Sequence, residues 1–135
     1  MIQKIIIVLA FSFFATGCIP KLGNDGTVVS QSEFIEGKAV SGFPNVPRYP
    51  ESQLLESIND KNSFGASFIV EENIQKVVDF YSSSLTATGW ESAFVKKTET
   101  NYVFEIKNAD FSGEVIVNTA SDSKSTAISV FVEPR

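Results

Sequence analysis

The sequence predicts an α+β domain in which one helix packs on one face of an antiparallel sheet. Three observations predict this fold class. Several segments after Pro50 alternate apolar and polar residues with a period of two, one segment has helical periodicity, and short polar connections separate the alternating segments. The composition, with 43% hydrophobic and 20% charged residues in 135, is ordinary for a globular protein. The expected order is ββαββββ, a sheet of about five or six strands.

The first two strands are expected to form a hairpin. Residues 54–58 are a short strand candidate, and Asn59-Asp60-Lys61-Asn62 are residues that favour turns. Residues 64–70 then alternate with the period of a strand.

The periodicity changes to that of a helix after residue 73. Five apolar residues make one stripe at helical spacing: Ile74, Val77, Val78, Tyr81 and Leu85. Asn73 is a suitable N-cap, and Gly89 can adopt the left-handed conformation that ends a helix.

Four further strands are predicted over residues 90–96, 101–107, 113–119 and 126–133. The polar connections between them are short, which favours antiparallel neighbours. A lone helix covers a sheet of this size only in part. We therefore expect the other face of the sheet to be polar or to meet another molecule.

The N-terminus has the parts of a secretory signal. Lys4 gives a positive start, residues 5–14 are almost wholly apolar, and small residues follow. The apolar run is shorter than the roughly 20 residues that cross a bilayer, although a simple membrane anchor is the alternative.

Ala15-Thr16-Gly17-Cys18 resembles the lipobox of bacterial lipoproteins. The resemblance implies that the Cys18 sulfur receives a diacylglycerol, that the chain is cut before it, and that the lipid holds the protein at the membrane of the cell envelope. Ile19 is not aspartate, which by the family's sorting rule implies the outer membrane in a host with two membranes. In a host with one membrane, the outer face of the cell membrane is implied.

The expected organisation is a signal peptide at 1–17, a lipidated tether at 18–47 and a single α+β domain at 48–135. Glycines and prolines interrupt the hydrophobic pattern of the tether, as is typical of flexible linkers. Two apolar pairs within it, Val28-Val29 and Phe34-Ile35, could dock as a short strand or hairpin.

A second resemblance covers roughly residues 46–133. Arg48-Tyr49-Pro50-Glu51-Ser52, residues 79–85 and Thr88-Gly89-Trp90 are similar to segments of small exported bacterial domains of uncharacterised activity. This resemblance supports the fold and implies no activity.

The composition argues against several kinds of chemistry. The chain has no histidine and one cysteine, so a conventional zinc site, a histidine-dependent nucleophile and an internal disulfide are not expected. No cofactor is expected either. The net charge of −5 and the single basic pair Lys96-Lys97 argue against nucleic acid as a partner. We interpret the carboxylates as solvated surface and find no activating base for the serines at 82–84.

Several aromatic residues have two interpretations. Phe80, Tyr81 and Trp90 either form a stacking surface for a sugar or peptide or pack the end of the helix onto the sheet, and we favour packing. Tyr49 and Phe111 are the candidate partner contacts. Tyr49 with Pro50 could equally be a rigid entry into the first strand, and Phe111 could plug the open end of the sheet.

These observations predict a non-enzymatic lipoprotein, an accessory or protein-interaction module that meets another envelope protein. The alternative is a binding protein for a small apolar or peptide-like ligand, held between helix and sheet or on the uncovered face. An enzyme ranks third, because the sequence shows no catalytic arrangement.

Overall fold

A computed structural model describes residues 33–135 and contains one sheet and one helix. The elements in chain order are β1 Glu33–Glu36, β2 Gln53–Asp60, β3 Ser63–Val70, α1 Ile74–Ala87, β4 Glu91–Lys97, β5 Asn101–Lys107, β6 Phe111–Thr119 and β7 Thr126–Pro134. The strands lie in the order β1-β2-β3-β7-β6-β5-β4, and every neighbouring pair is antiparallel. The predicted α+β class is confirmed.

The predicted count of five or six strands is corrected to seven, because β1 lies within the segment expected to be tether. Its four residues are too few to show a period of two in the sequence. In the structure Phe34 pairs with Ile58 and Ile35 with Ser57, so β1 extends the sheet at its edge. Cys18 and the proposed signal peptide lie outside the described residues.

The predicted β2–β3 hairpin is present, with a tighter turn than expected. Lys61 and Asn62 both have positive φ, 52° and 68°, as a two-residue hairpin turn requires. The Asn59 side chain accepts a hydrogen bond from the Asn62 backbone N–H at 3.1 Å. β2 therefore continues to Asp60, two residues beyond the predicted strand.

The helix begins and ends at the predicted residues. The Asn73 side chain accepts a hydrogen bond from the Gln75 N–H at 2.8 Å, which caps the first turn. Gly89 has a φ of +88°, and the Trp90 N–H then donates to the Leu85 carbonyl at 3.0 Å, which ends the helix. The predicted apolar stripe faces the sheet, with Val77, Val78, Tyr81 and Leu85 buried.

Residues 38–49 cover the part of the sheet that the helix does not reach. α1 packs against β4 and β6, whereas Phe43 and Val46 face Leu54, Ala66 and Phe68 on β2 and β3. Three hydrogen bonds tie this segment to the rest of the fold. The Val40 N–H donates to Ser57 Oγ and Trp90 Nε1 donates to the Asn45 carbonyl, each at 2.9 Å, and Ser57 Oγ in turn donates to the Lys38 carbonyl. The second layer of the fold is therefore a helix together with an irregular segment.

The two edges of the sheet differ from its centre. β1 contributes only four residues at one edge. At the other edge β4 contains a bulge at Val95, between Phe94 and Lys96, and ends in the basic pair Lys96-Lys97. A bulge, charged residues and a short strand each interrupt the regular edge that another strand would need for pairing.

Gly113 allows β6 and β7 to approach each other closely. A Cβ placed on Gly113 would overlap the carbonyl oxygen of Phe131 and lie 2.7 Å from the Cα of Val132. Backbone atoms cannot rotate away as side chains can. We conclude that the β6–β7 pairing requires glycine at this position.

Candidate functional site

The strand register places seven residues in one row across the face of the sheet that points away from α1, here called the open face. Following the strand order, this central row runs Phe34, Ile58, Gly65, Phe131, Glu114, Glu105 and Ala93. One end of the central row is apolar, and acidic residues follow it towards β4.

The apolar end of the central row is exposed. Phe34, Ile58 and Phe131 are 56%, 39% and 49% exposed, whereas Gly65 between them is buried. A Cβ on Gly65 would lie 3.1 Å from Ile58 Cγ1 and 3.3 Å from Phe131 Cε1, so these two side chains close over the glycine backbone. The remaining surface of the three side chains faces outward.

The open face is strongly acidic. By the strand register it carries two basic residues, Lys96 and Lys107, and seven acidic residues: Glu36, Glu56, Asp60, Glu91, Glu105, Glu114 and Glu133. The rest of the described chain carries eight acidic and seven basic residues and is nearly neutral. Almost all of the net negative charge of residues 33–135 therefore lies on this face.

Acidic residues are also direct neighbours on the open face. Glu36 pairs with Glu56 across β1 and β2, and Glu105 pairs with Glu114 across β5 and β6. Like charges placed directly opposite each other destabilise a sheet. Among the described residues of this face, Lys107 makes an ion pair with Glu91 at 3.1 Å, and none of the four paired glutamates takes part in an ion pair.

A shallow groove of about 560 Å³ follows the central row beside Phe131. Its lining combines Ile58, Phe64, Gly65 and Val132 with the carboxylates of Asp60, Glu105, Glu114 and Glu133, and it contains no lysine or arginine. The described residues include no group of three or more potential ligands that could hold a metal ion. The groove offers apolar contact and negative charge.

The two residues predicted as partner contacts lie on the other side of the sheet. The half-buried Tyr49 ring packs edge-on against Phe80, with 5.1 Å between ring centroids. Phe111 is the first residue of β6 rather than part of a connection, and its half-buried ring packs against Phe64 at 6.2 Å. Both rings pack against the core, and the structure does not bring them together.

The remaining aromatic candidates belong mainly to the core. Tyr81 and Trp90 are buried, and Phe80 is half-buried against Tyr81, so packing of the helix end onto the sheet accounts for them. Burial raises the pKa of the Tyr81 hydroxyl well above its ordinary value of 10.0. These groups are structural and lie on the helix side of the sheet.

Two carboxylates with lowered pKa values lie at chain turns. Hydrogen bonds from the Ser125 N–H and Oγ and from the Lys124 N–H hold the pKa of Asp122 below 3.8. The Asn73 N–H and the Lys76 ammonium likewise lower the pKa of Glu72. Both arrangements stabilise connections, before β7 and before α1 respectively.

The exposed apolar residues of the central row were not among the candidates from the sequence. A signal was available for Phe131, which alternates with Val130 and Val132 in β7 and must therefore point away from the core. A large aromatic residue at such a position indicates an exposed contact. Ile58 and Phe34 gave a weaker signal, because their partners across the sheet were unknown.

No protein-family model matches the chain, and searches of curated proteins and of solved structures gave no similar protein. In the described part of the chain, no helix has the length and apolar character needed to cross a membrane.

Proposed function

We propose that this protein is a non-enzymatic lipoprotein of the cell envelope whose folded domain binds another envelope protein through the open face. The lipid on Cys18 anchors it, at the outer membrane in a host with two membranes and otherwise on the outer face of the cell membrane. The observation that carries the proposal is the exposed apolar end of the central row, Phe34, Ile58 and Phe131.

An apolar patch with a polar surround is the usual anatomy of a protein interface. Large side chains such as Phe131 supply most of the binding energy at such surfaces when a partner removes them from water. Phe131 and Ile58 converge over the backbone of Gly65, so the two side chains form one apolar surface.

The test is chemical cross-linking in intact cells, followed by detergent purification of a tagged copy and mass spectrometry. We expect one protein in near-equal amount with the parent chain, and its loss with Phe131→Ser and with Ile58→Ser. Val95→Ser is the matched control, because Val95 is also about half exposed but lies in the β4 bulge. Equal capture by all variants would refute the open face as the binding surface.

The anchor is tested separately by Cys18→Ala in the same cells. We expect the variant to lack lipid and to leave the membrane fraction, because two or three acyl chains hold a protein durably and the variant has none. Firm retention of the variant in the membrane fraction with an uncut N-terminus would refute the lipoprotein assignment. It would not affect the separate proposal that the open face binds a partner.

A second candidate function is the binding of a small apolar or peptide-like ligand. A cavity of about 310 Å³ between residues 39–48 and strands β2 and β3 favours it, with Phe43, Val46, Leu54 and Phe68 in its lining. A pocket of this size and character suits a small apolar molecule. Native mass spectrometry of the purified protein distinguishes the two functions, because only the ligand-binding function predicts that a small molecule stays bound to the protein.

A further inference from the structure

We infer that the partner of the open face presents lysine or arginine side chains directly beside apolar ones, in a segment that lies along the central row. This inference rests on the proposed function and names the chemistry of the partner. It follows from the charge, the geometry and the pairing of the residues on that face.

The charge distribution favours a cationic partner. The open face carries seven carboxylates and two ammonium groups, whereas the remaining described residues are nearly balanced at eight and seven. An acidic surface that serves solubility alone would not need its charge on one face. Complementary potentials steer a basic partner to such a face and set its orientation.

The geometry of the central row sets the order of side chains in the partner. Phe34, Ile58 and Phe131 come first, and Glu114 and Glu105 follow in the next two strands. Strands lie about 4.8 Å apart, so the distance from Phe34 to Glu105 is roughly 24 Å. An extended segment of about seven residues covers this length, with apolar side chains at one end and basic ones at the other.

The pairing of glutamates indicates a role outside the fold. Glu36 opposite Glu56 and Glu105 opposite Glu114 repel each other, and no ion pair in the described chain relieves them. Basic side chains at the far end of the partner segment would relieve the Glu105–Glu114 pair, which lies in the central row. The same charge disfavours two other occupants, a second copy of this face and an anionic lipid surface, since both would add negative charge.

The test places a photoreactive phenylalanine analogue at position 131 of the full chain in intact cells, followed by sequencing of the cross-linked peptide. We expect a peptide from another protein in which at least two lysine or arginine residues lie within about eight residues of an apolar cross-linked position. A neutral or acidic peptide, a second copy of this chain, residues 19–32 of the same chain or lipid would each overturn the inference.

A pair of charge variants completes the test. Glu105→Gln with Glu114→Gln should lower the cross-linking yield roughly two- to thirtyfold, as expected for the loss of two charge contacts. The matched control is Glu71→Gln with Asp79→Gln, which makes the same change in net charge beyond the open face. Equal cross-linking yields from the two double variants would overturn the inference.

The two proposals fail in different ways. If Phe131→Ser abolishes capture but the cross-linked peptide is not basic, only the inference about partner chemistry fails. If no protein is cross-linked at position 131 and Phe131→Ser captures as well as the parent chain, the proposed function fails with it.

Discussion

Gly113→Ala should destabilise this protein far more than a glycine-to-alanine change normally does in a sheet. The new methyl group would overlap the Phe131 carbonyl oxygen and lie 2.7 Å from the Val132 Cα, where carbon atoms normally approach to about 3.5 Å. Because both contacts are backbone atoms, only a separation of β6 from β7 by about 1 Å can relieve them.

The magnitude follows from the bonds that this separation breaks. Loss of roughly two ladder hydrogen bonds costs about 0.5–1.5 kcal/mol each, and the strain of overpacking adds about 1–3 kcal/mol. The lower entropy of the unfolded alanine variant offsets about 0.4–1 kcal/mol. We expect a net decrease of about 3 kcal/mol in the free energy of unfolding.

The measurement is urea denaturation followed by fluorescence of Trp90, which is the single tryptophan and is buried. Gly65→Ala is the matched control. Its methyl group meets side-chain atoms of Ile58 and Phe131, which face solvent and can rotate, so the expected change is within about 1 kcal/mol. If the two variants differ by less than about 1 kcal/mol, the argument from close strand approach is wrong.

Three further predictions concern charge and pH. Because burial raises the pKa of Tyr81, the folded protein keeps this proton above about pH 10 while the unfolded chain loses it, so stability should fall by about 1.4 kcal/mol per pH unit there. Urea denaturation between about pH 9 and pH 11 should show a shallower decline for Tyr81→Phe, and an unchanged slope would contradict this. Asp122→Ala should lower the free energy of unfolding at neutral pH. The difference in this free energy between variant and parent should shrink as the pH falls below 3.8, because the hydrogen bonds to Asp122 favour its ionised form. A difference that persists in acid would show that the charge of Asp122 plays no part. Glu114→Lys should raise the free energy of unfolding by about 0.2–1 kcal/mol, because it replaces repulsion from Glu105 by attraction. A thermal or urea midpoint below that of the parent would refute it.

Local features of the sequence predicted most of the secondary structure. The Asn73 cap, the apolar stripe and Gly89 defined the helix, and the alternation in residues 101–107 gave β5 with its observed bounds. These signals depend on neighbours within one element. β1 was only an open alternative, because four residues at an edge depend on pairing with β2 rather than on their own pattern.

The open face could not be predicted as a surface, because its register joins residues that are distant in the sequence. β3 pairs with β7, which brings Gly65 beside Phe131, and no local pattern specifies that pairing. The clustering of acidic residues has the same origin. Glu36 and Glu114 appeared as scattered surface residues in the sequence and share a face only through the order of the strands.

The ends of the sheet also affect how copies of the protein behave beside one another. Proteins held by lipid at a membrane share a thin layer, where their local concentration is far higher than in solution. A long regular edge would let one molecule add its strands to the next and begin a growing fibre. The bulge at Val95, the lysines that follow it and the four-residue β1 interrupt both edges. Under the lipid anchor proposed above, copies of the fold would stand side by side without polymerising through their edges.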